Sequence, residues 1–487
     1  MTLVLDTRFG LTLEAVRRVA WQGEAVAIGE VGMARIAEVR AAFLAYIAHD
    51  PEASVYGVNR GQGEMIHQTM GGADMERLAR LKPLAAAVPF GQPYPERVTR
   101  AMVLARFANI LDGHAAATPR LAGKLAEMLN GGTIPPVSQH GQGGAGEILA
   151  LYTLFAGLSQ ELELEAAERG ALINGSPAAS ALVADAALVA EGRLAVAFEV
   201  LALAIEAFNA PLEHYDPVLG DLLGGGAHGR AFAALDALLE ARGGLPQRPY
   251  QAPVSYRIIP AVLAQACRAL DGAQTVAGTS LAAVTHNPVY LMPDADHRWG
   301  RCLSTGGYHN ALAAPAMDDI AAACADLCLL CVRLTAGLLN GHVSGYPDFL
   351  LSGRQTGESD GHGAVGYLPM AVVGFAEEAR HAAQRTFIPG ADASVFGQDD
   401  VAAPAFLAWP RVMTAGRCQD AALAVLAVAA SQALHVTGRT RIAAPLRPLL
   451  ETVRHVVPPV TADRVLAPEL QALAHHLGAR ALGGEAS

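Results

Sequence analysis

The sequence predicts an all-α protein, because two observations agree along most of its length. Apolar residues recur at three- and four-residue spacing in long stretches rich in Ala and Leu, which is typical of amphipathic or buried helices. The strict alternation that marks β-strands is scarce. We therefore expect one continuous helical domain over 1–487, a bundle of long central helices with a loop-rich active-site region near the N-terminus.

The same periodicity places the predicted helices, in order along the chain, at about 12–20, 32–48, 97–130, 147–170, 177–208, 228–242, 257–270, 309–340, 365–388 and 411–436. The loops between them are rich in glycine and polar residues. Because loops on a rigid scaffold commonly carry binding and catalytic residues, we expect the chemistry of this protein there.

Composition limits the function. Hydrophobic residues make up 52% of the chain and charged residues 17%, which is more apolar surface than one ordinary soluble monomer buries. Oligomer interfaces are the simplest place for that surface. A net charge of -11 argues against nucleic-acid binding and favours a cationic small-molecule substrate.

We expect a cytoplasmic protein. The segment MTLVLDTRFGLTLEAVRR lacks the basic and apolar regions of a signal peptide. The apolar run near residue 425 is preceded by Asp420 and interrupted by Gln432, so it is predicted to be too short and too polar to span a bilayer. No membrane partner is expected.

The cysteines predict neither disulfides nor a metal site. Six cysteines in a chain of 487 residues do not form a disulfide framework. Cys324, Cys328 and Cys331 share a helical face, but their surroundings are apolar and offer no fourth ligand. We expect them to pack in the core as small hydrophobic residues.

The loop motifs occur in a characteristic order: LTLEAVRRVAWQGEAVAI, YGVNRGQG, a Gly-rich loop after PPV, NGS, SYRIIPAV, THNP, LSTGGYHN and GQDDV. Each motif is weak alone, but the ordered set resembles the aromatic amino-acid (histidine/phenylalanine) ammonia-lyase superfamily. That resemblance implies a helical fold of the ammonia-lyase/fumarase type. It also implies a homotetramer whose active sites draw loops from several subunits.

The resemblance also implies residue roles. Tyr56 matches the base that removes the substrate's β-proton, and Arg257 matches the clamp for the substrate carboxylate. Asn174, Tyr308 and Asp399 match the family's NGT-like, GGNFHG-like and QEDH-like motifs. Without the resemblance, Tyr56 could simply cap a turn, Arg257 could form an ion pair, and Asn174 and Asp399 could be a helix cap and a surface acid.

One loop departs from the family. Its members build an electrophilic methylidene-imidazolone group from an Ala-Ser-Gly triplet, whereas the matching residues here are Ala145, Gly146 and Glu147. The methylidene carbon comes from dehydration of a serine side chain, and glycine has no β-carbon. We therefore expect no prosthetic group. In addition, Ala86 or a neighbour stands where histidine- and tyrosine-specific relatives carry a ring-recognising His.

A quaternary ammonium substrate removes the need for that electrophile. Trimethylammonium has no lone pair to attack an electrophile, and it leaves as a neutral amine. The ergothionase branch of the superfamily uses this chemistry, and the chain resembles that branch. We predict elimination of trimethylamine from a histidine-derived betaine of the ergothioneine or hercynine type, giving a urocanate-type acrylate.

Further residues receive roles under this hypothesis. Glu147 and Tyr308 are expected to hold the quaternary ammonium, since carboxylates and aromatic faces attract it. Glu378, or its neighbour Glu377, lies in a motif that the family places around the amine. Arg60 either lowers the pKa of the catalytic tyrosine, grips a ring sulfur or is an ordinary surface residue.

Three alternatives remain open. The protein could catalyse another elimination or addition on an aromatic or imidazole amino acid without a prosthetic group, or it could be a non-catalytic scaffold. An ordinary ammonia-lyase would need an electrophile built from other residues. The presence of Tyr56, Arg257 and the QDD motif favours an enzyme over a scaffold.

Overall fold

Helices dominate the fold. The computed structural model describes residues 2–49, 55–61, 70–71, 73–74, 76–77, 86–240, 251–352, 365–389 and 400–483. In these residues the strands form two small sheets, with β1 (Thr2–Leu5) parallel to β2 (Ala25–Ile28) and β3 (Val289–Leu291) antiparallel to β4 (Arg301–Leu303). The predicted all-α class is confirmed.

In chain order the α-helices of the described residues are α1 (Leu13–Val16), α2 (Glu30–His49), α3 (Glu96–Leu111), α4 (Pro119–Leu129), α5 (Ile148–Phe155), α6 (Leu158–Glu161), α7 (Glu168–Ile173), α8 (Pro177–Phe208), α9 (Pro217–Leu222), α10 (Gly226–Leu239), α11 (Val254–Arg257), α12 (Ile259–Leu281), α13 (Ala313–Leu339), α14 (Gly341–Ser344), α15 (Leu368–Ala382), α16 (Ala405–Val436), α17 (Arg447–Val456) and α18 (Ala467–Ala481).

Two of the longest predicted helices have opposite outcomes. Helix α8 coincides with the predicted 177–208, since Pro177 is favoured in the first turn and Asn209 leaves the helix at a positive φ of 58°. The predicted 97–130 is wrong as one helix. Gly113 adopts a φ of +78° between α3 and α4, and α4 begins anew with Thr118 as its cap.

The chain divides into two compact units. The first comprises Met1–Ala186, Ala273–Met317 and Thr386–Pro410, and the second comprises Ala187–Gly272, Asp318–Arg385 and Arg411–Ser487. Each unit is assembled from three separate stretches of chain. The prediction of one continuous domain stays a prediction.

The second unit has a core of small and aliphatic side chains drawn from 196–210, 323–339 and 422–434. Cys328 and Cys331 are fully buried in this core, and Cys324 is 5% exposed. The prediction that these cysteines pack as small hydrophobic residues is confirmed.

Two helices are long and apolar enough to cross a membrane by length and composition: Ala313–Leu339 and Ala405–Val436. Within their most apolar windows, 61% and 83% of the residues are buried in the protein. Such burial is typical of the core helices of a soluble protein. The run near residue 425 belongs to the helix Ala405–Val436, so the prediction that this segment is too short and too polar to span a bilayer is wrong; what distinguishes this helix is its burial in the protein.

Candidate active site

A tight loop in the first unit presents Tyr56. The backbones of Tyr56 and Arg60 pair as an isolated bridge, and the N–H of Gly57 donates to the carbonyl of Arg60 at 3.1 Å. Gly57 adopts a φ of +69°, which the turn requires and glycine tolerates. The side-chain oxygen of Asn59 accepts a backbone N–H at the start of the loop at 2.8 Å. The predicted catalytic tyrosine is thus held by a closed turn.

Tyr56 lines a cavity of the first unit that contains about 370 Å³ free of protein atoms, part of it open to solvent. Its walls combine aromatic rings, imidazoles and a thiol, contributed among others by Phe43, His114, His286, Tyr290 and Cys302. Such walls suit a small substrate with an aromatic or imidazole ring.

His286, in the THNP motif, is held as a neutral imidazole. Its Nε2 lies 3.0 Å from the carbonyl oxygen of Asn109, which can only accept, so Nε2 carries the proton. Its Nδ1 then accepts from a guanidinium nitrogen of Arg106 at 3.0 Å. Burial, reinforced by the charge of Arg106, lowers the pKa of His286 to about 3. This imidazole is therefore a fixed part of the wall rather than a proton carrier near neutral pH.

Arg106 is a fully buried cation behind that wall. Besides His286, its guanidinium donates to the backbone carbonyl of Asn174 at 2.6 Å. Burial lowers the pKa of Arg106 to about 9, opposed by the negative charge of Glu147. Arg106 therefore remains protonated at neutral pH and places a positive charge next to the THNP and NGS motifs.

Hydrogen bonds join three of the sequence motifs. The side-chain amide of Asn174 donates to the carbonyl of Asn287 at 3.0 Å, and the hydroxyl of Ser176 donates to the carbonyl of Gly307 at 3.1 Å. The side-chain oxygen of Asn287 in turn accepts the N–H of Thr305 at 3.0 Å. The NGS, THNP and LSTGGYHN segments, which the sequence presents as separate loops, form one junction.

The loop that departs from the family lies in the same unit. Gly146 adopts a φ of +56°, and a β-carbon added there would lie 3.1 Å from Cδ2 of Tyr308. Both the backbone conformation and the neighbouring ring therefore favour glycine at this position. Ala145 and Gly146 also pair with the backbone of Ala402.

Glu147 points into the protein and caps a helix. Its two carboxylate oxygens accept the N–H groups of Ala178 and Ala179, each at 2.6 Å, in the first turn of α8. An anion at a helix N-terminus is stabilised by the unsatisfied N–H groups and the helix dipole. With Glu147 only 3% exposed, this geometry does not support the predicted direct contact of its carboxylate with a substrate cation.

Burial raises the pKa of Glu147, while the two backbone N–H donors and the positive charge of Arg106 lower it. Because both oxygens accept N–H groups, these contacts stabilise the carboxylate form. Glu147 thus connects the departing loop to the start of α8.

The structure places four predicted residues in the first unit besides Glu147: Tyr56, Arg60, Asn174 and Tyr308. Tyr308 is partly exposed and lies against Gly146. Asp399 falls outside the described residues.

The other two predicted residues belong to the second unit. Arg257 is exposed at the end of α11, and its Nε donates to the carbonyl of Ala252 at 3.0 Å. In the described part of the chain no hydrogen bond engages its two terminal nitrogens, which leaves the planar fork open for a carboxylate. Glu378 is exposed on α15 and interacts with the thiol of Cys418.

The sequence did not identify Arg106, Asn109 and His114 as site residues. Arg106 and Asn109 lie within the apolar helix α3, where the pattern predicts that a polar residue faces solvent. His114 follows that helix, and its Nδ1 contacts the carbonyl of Tyr290 at 3.0 Å. The available clue was the THNP motif, because a buried imidazole requires partners.

The family model described as Aromatic amino acid lyase matches residues 11–159 and 154–455. The chain belongs to the aromatic amino acid lyase family. It is 29% identical over 502 residues to histidine ammonia-lyase of Geobacillus thermodenitrificans, with 97% of this chain and 96% of that protein covered. This family membership supports the activity of a carbon–nitrogen lyase.

Solved structures show the same fold. Tyrosine aminomutase from Streptomyces globisporus aligns with a TM-score of 0.85 at 23% identity, covering 99% of this chain and 98% of that one. Ergothionase from Treponema denticola, an ergothioneine-degrading enzyme, aligns with a TM-score of 0.88 at 17% identity and covers 99% of both chains. The motif junction and the Tyr56 cavity both lie in the first unit, and together they are the candidate active site of this family member.

Proposed function

We propose that this lyase eliminates trimethylamine from a histidine-derived betaine, of the ergothioneine or hercynine type, without a methylidene-imidazolone group. The observation that carries the proposal is Gly146. It stands where the family's prosthetic group needs a serine, and it lacks the carbon from which the methylidene forms. The product is a urocanate-type acrylate.

The residues present do not fit the prosthetic group. Gly146 has a left-handed φ of +56°, and a β-carbon there would press on the ring of Tyr308 at 3.1 Å. The next residue, Glu147, is engaged with the start of α8 through both oxygens. No step of the proposed reaction therefore runs through that group.

The choice of substrate follows from the leaving group. A primary amine leaves poorly and is loaded onto the family's electrophile before it departs. Trimethylammonium cannot be loaded, because its nitrogen has no lone pair, and it needs no loading, because it departs as neutral trimethylamine. A lyase that lacks the electrophile is matched to this substrate class.

In the proposed mechanism the guanidinium fork of Arg257 binds the substrate carboxylate, with Asn174 in support, and the shared active sites of the proposed homotetramer allow the two residues to come from different subunits. Tyr56, as a phenolate, removes the β-proton next to the ring. The electron pair of that C–H bond forms the Cα–Cβ double bond, while the pair of the Cα–N bond leaves with trimethylamine. One proton moves to Tyr56 and one neutral amine departs, so charge and atoms balance.

Two further residues contribute electrostatically in this proposal. The face of Tyr308 binds the trimethylammonium group by a cation–π interaction. Glu147 acts from behind the loop, where its buried carboxylate holds α8 and the Gly146 turn in place. Asp399 and Glu378 remain candidates for the surroundings of the amine.

Formation of a phenolate at Tyr56 near neutral pH requires positive charge nearby. Arg60 lies in the same loop, and its backbone pairs with that of Tyr56. Arg106 adds a buried charge behind His286, which lines the cavity together with Tyr56. The proposal assigns the required positive charge to these two arginines.

A homotetramer with shared active sites is part of the proposal. An open groove of the second unit is lined by residues of 253–262 and 326–343, and it exposes the apolar side chains of Val254, Ile258 and Leu329. A second copy of the chain would remove this apolar surface from water.

The function is tested by incubating the purified protein with ergothioneine, hercynine and histidine. Trimethylamine and ammonia are assayed while the ultraviolet spectrum is followed for a conjugated acrylate. We expect trimethylamine from at least one betaine and no ammonia from histidine. Ammonia from histidine would instead identify an ordinary ammonia-lyase, the activity named for relatives at 29% identity. No product from any of the three would refute the proposal and favour a scaffold or another substrate.

The absence of the prosthetic group has its own test. Intact-mass measurement of the wild-type chain should match the unmodified sequence, and so should that of Gly146→Ser, since the φ of +56° and the contact with Tyr308 oppose cyclisation. A wild-type mass lower by two water molecules would overturn the proposal.

A further inference from the structure

The short helix that carries Arg257 depends on its surroundings. Helix α11 has only four residues, Val254–Arg257, and Ile258 alone separates it from the long helix α12. Helix α12 supports the C-terminal end of this turn, so the side-chain contacts from 208–215 are what add to that support and fix where the guanidinium of Arg257 points.

The first contact holds the entrance to this turn. Nε2 of His214 accepts the N–H of Ala252 at 3.3 Å. The carbonyl of Ala252 accepts Nε of Arg257 at 3.0 Å. Ala252 therefore uses its N–H to bind His214 and its carbonyl to bind Arg257. His214 anchors Ala252, and Ala252 orients the guanidinium.

The second contact holds the end of the turn. The hydroxyl of Tyr215 donates to the carbonyl of Tyr256 at 3.0 Å. The ring of Tyr256 is fully buried and stacks on Phe208, with ring centroids 4.0 Å apart and planes 22° from parallel. Two adjacent residues, His214 and Tyr215, therefore hold α11 from both ends.

His214 can accept an N–H only while its Nε2 is unprotonated. Burial lowers the pKa of His214, Glu213 opposes this effect, and the charge of Arg257 adds to it. The ring of Tyr215 lies edge-on at 6.2 Å. The surroundings of His214 thus favour the neutral form that the hydrogen bond needs.

We propose that His214 and Tyr215 are positioning residues for the carboxylate clamp, holding α11 so that the guanidinium fork of Arg257 is preorganised. This inference rests on the clamp role given to Arg257 in the proposed function. His214 and Tyr215 act on substrate affinity and not on the elimination step, because they contact the segment that carries Arg257 and not the proposed base.

The test compares two substitutions of one residue. His214→Ala removes the acceptor, whereas His214→Gln keeps a side-chain oxygen that can accept the N–H of Ala252. We expect His214→Ala to raise KM about fivefold, which corresponds to the loss of one hydrogen bond of about 1 kcal/mol, with kcat changed less than about twofold. His214→Gln should restore most of the affinity. His455→Ala, at an exposed histidine of the same unit, is the control and should leave both constants unchanged.

A double substitution separates positioning from general destabilisation. In an Arg257→Gln background the clamp is already lost, so adding His214→Ala should raise KM no further. If His214→Ala fails to fold, Tyr215→Phe provides the second variant, since it removes only the hydroxyl that bonds Tyr256; a smaller rise in KM is expected.

The outcomes distinguish this inference from the proposed function. If histidine rather than a betaine is turned over, the proposed function fails, and the same KM measurements on histidine still test the positioning. If turnover is absent, the dissociation constant of imidazolepropionate, measured by calorimetry, replaces KM. Unchanged affinity in both His214→Ala and Tyr215→Phe, equal losses in His214→Ala and His214→Gln, or a further loss in the Arg257→Gln background would overturn the inference.

Discussion

Two arginines, one in each unit, have opposite surroundings. Arg106 is fully buried in the first unit and bonds to an imidazole and a backbone carbonyl. Arg257 is exposed in the second unit, and its Nε bonds to a backbone carbonyl. The buried guanidinium holds sequence motifs together, whereas the exposed one is available to a ligand. At these two arginines the residue type is the same, so burial and hydrogen-bond partners distinguish the structural role from the proposed binding role.

The largest expected effect is on stability, at the buried arginine. Arg106→Gln leaves Nδ1 of His286 and the carbonyl of Asn174 without their cationic donor, and we expect a loss of about 3–5 kcal/mol in the free energy of unfolding. Denaturant unfolding measures it. Arg380→Gln, at an exposed ion pair, should cost less than about 0.5 kcal/mol. Similar losses in both variants would contradict the contrast between buried and exposed arginines.

The next effect is on chemistry. Tyr56→Phe keeps the ring in the cavity but removes the proposed proton acceptor, so we expect kcat to fall at least about 100-fold with the dissociation constant of the substrate nearly unchanged. Steady-state kinetics and calorimetry separate the two quantities. Tyr367→Phe, at a tyrosine 82% exposed, is the matched control. Retained turnover in Tyr56→Phe would show that the base is assigned to the wrong residue.

A pH effect should distinguish the buried junction from the rest of the protein. The folded-state pKa of His286, about 3, lies below its unfolded value of about 6.5, so the unfolded chain gains this proton first as pH falls. The stability contributed by neutral His286 is complete above about pH 6.5 and is lost towards pH 3, at about 1.4 kcal/mol per pH unit. The slope of unfolding free energy against pH should become shallower by this amount in His286→Gln. An identical slope would show that the imidazole is not held neutral.

The smallest effect concerns the exposed arginine. Arg257→Lys keeps the charge but loses the planar fork, so we expect KM to rise about tenfold, which corresponds to about 1.4 kcal/mol, with the melting temperature unchanged. Kinetics and thermal unfolding provide the two readouts. A fall in melting temperature comparable to that of Arg106→Gln would remove the distinction between the two regions.

Features that depend on local sequence could be predicted. The bounds of α8 follow from a proline at its start and an uninterrupted run of Ala, Leu and Val. The two C-terminal helices α17 and α18 were missed, although both have a proline near their start. Periodicity alone joined α3 to α4, because the connection at 112–118 contains three alanines and so leaves the apolar pattern almost intact, although Gly113 and Ala116 both adopt a positive φ.

Features that depend on distant contacts could not be predicted. The sequence places Glu147 in a loop and shows that it replaces a family glycine, but its partners, Ala178 and Ala179, lie in another element. The residues next to Glu147 in sequence do not indicate that its carboxylate is buried. The tautomer of His286 likewise depends on Asn109 and Arg106, which belong to a helix far away in sequence.

The cap formed by Glu147 makes one side chain serve two parts of the chain. It follows the Gly146 turn directly and at the same time accepts the first N–H groups of α8. Because the ring of Tyr308 lies beside the same glycine, a larger side chain at position 146 would have to displace that ring or strain the turn. A change at position 146 or 147 would therefore be transmitted to both the loop and the start of the helix.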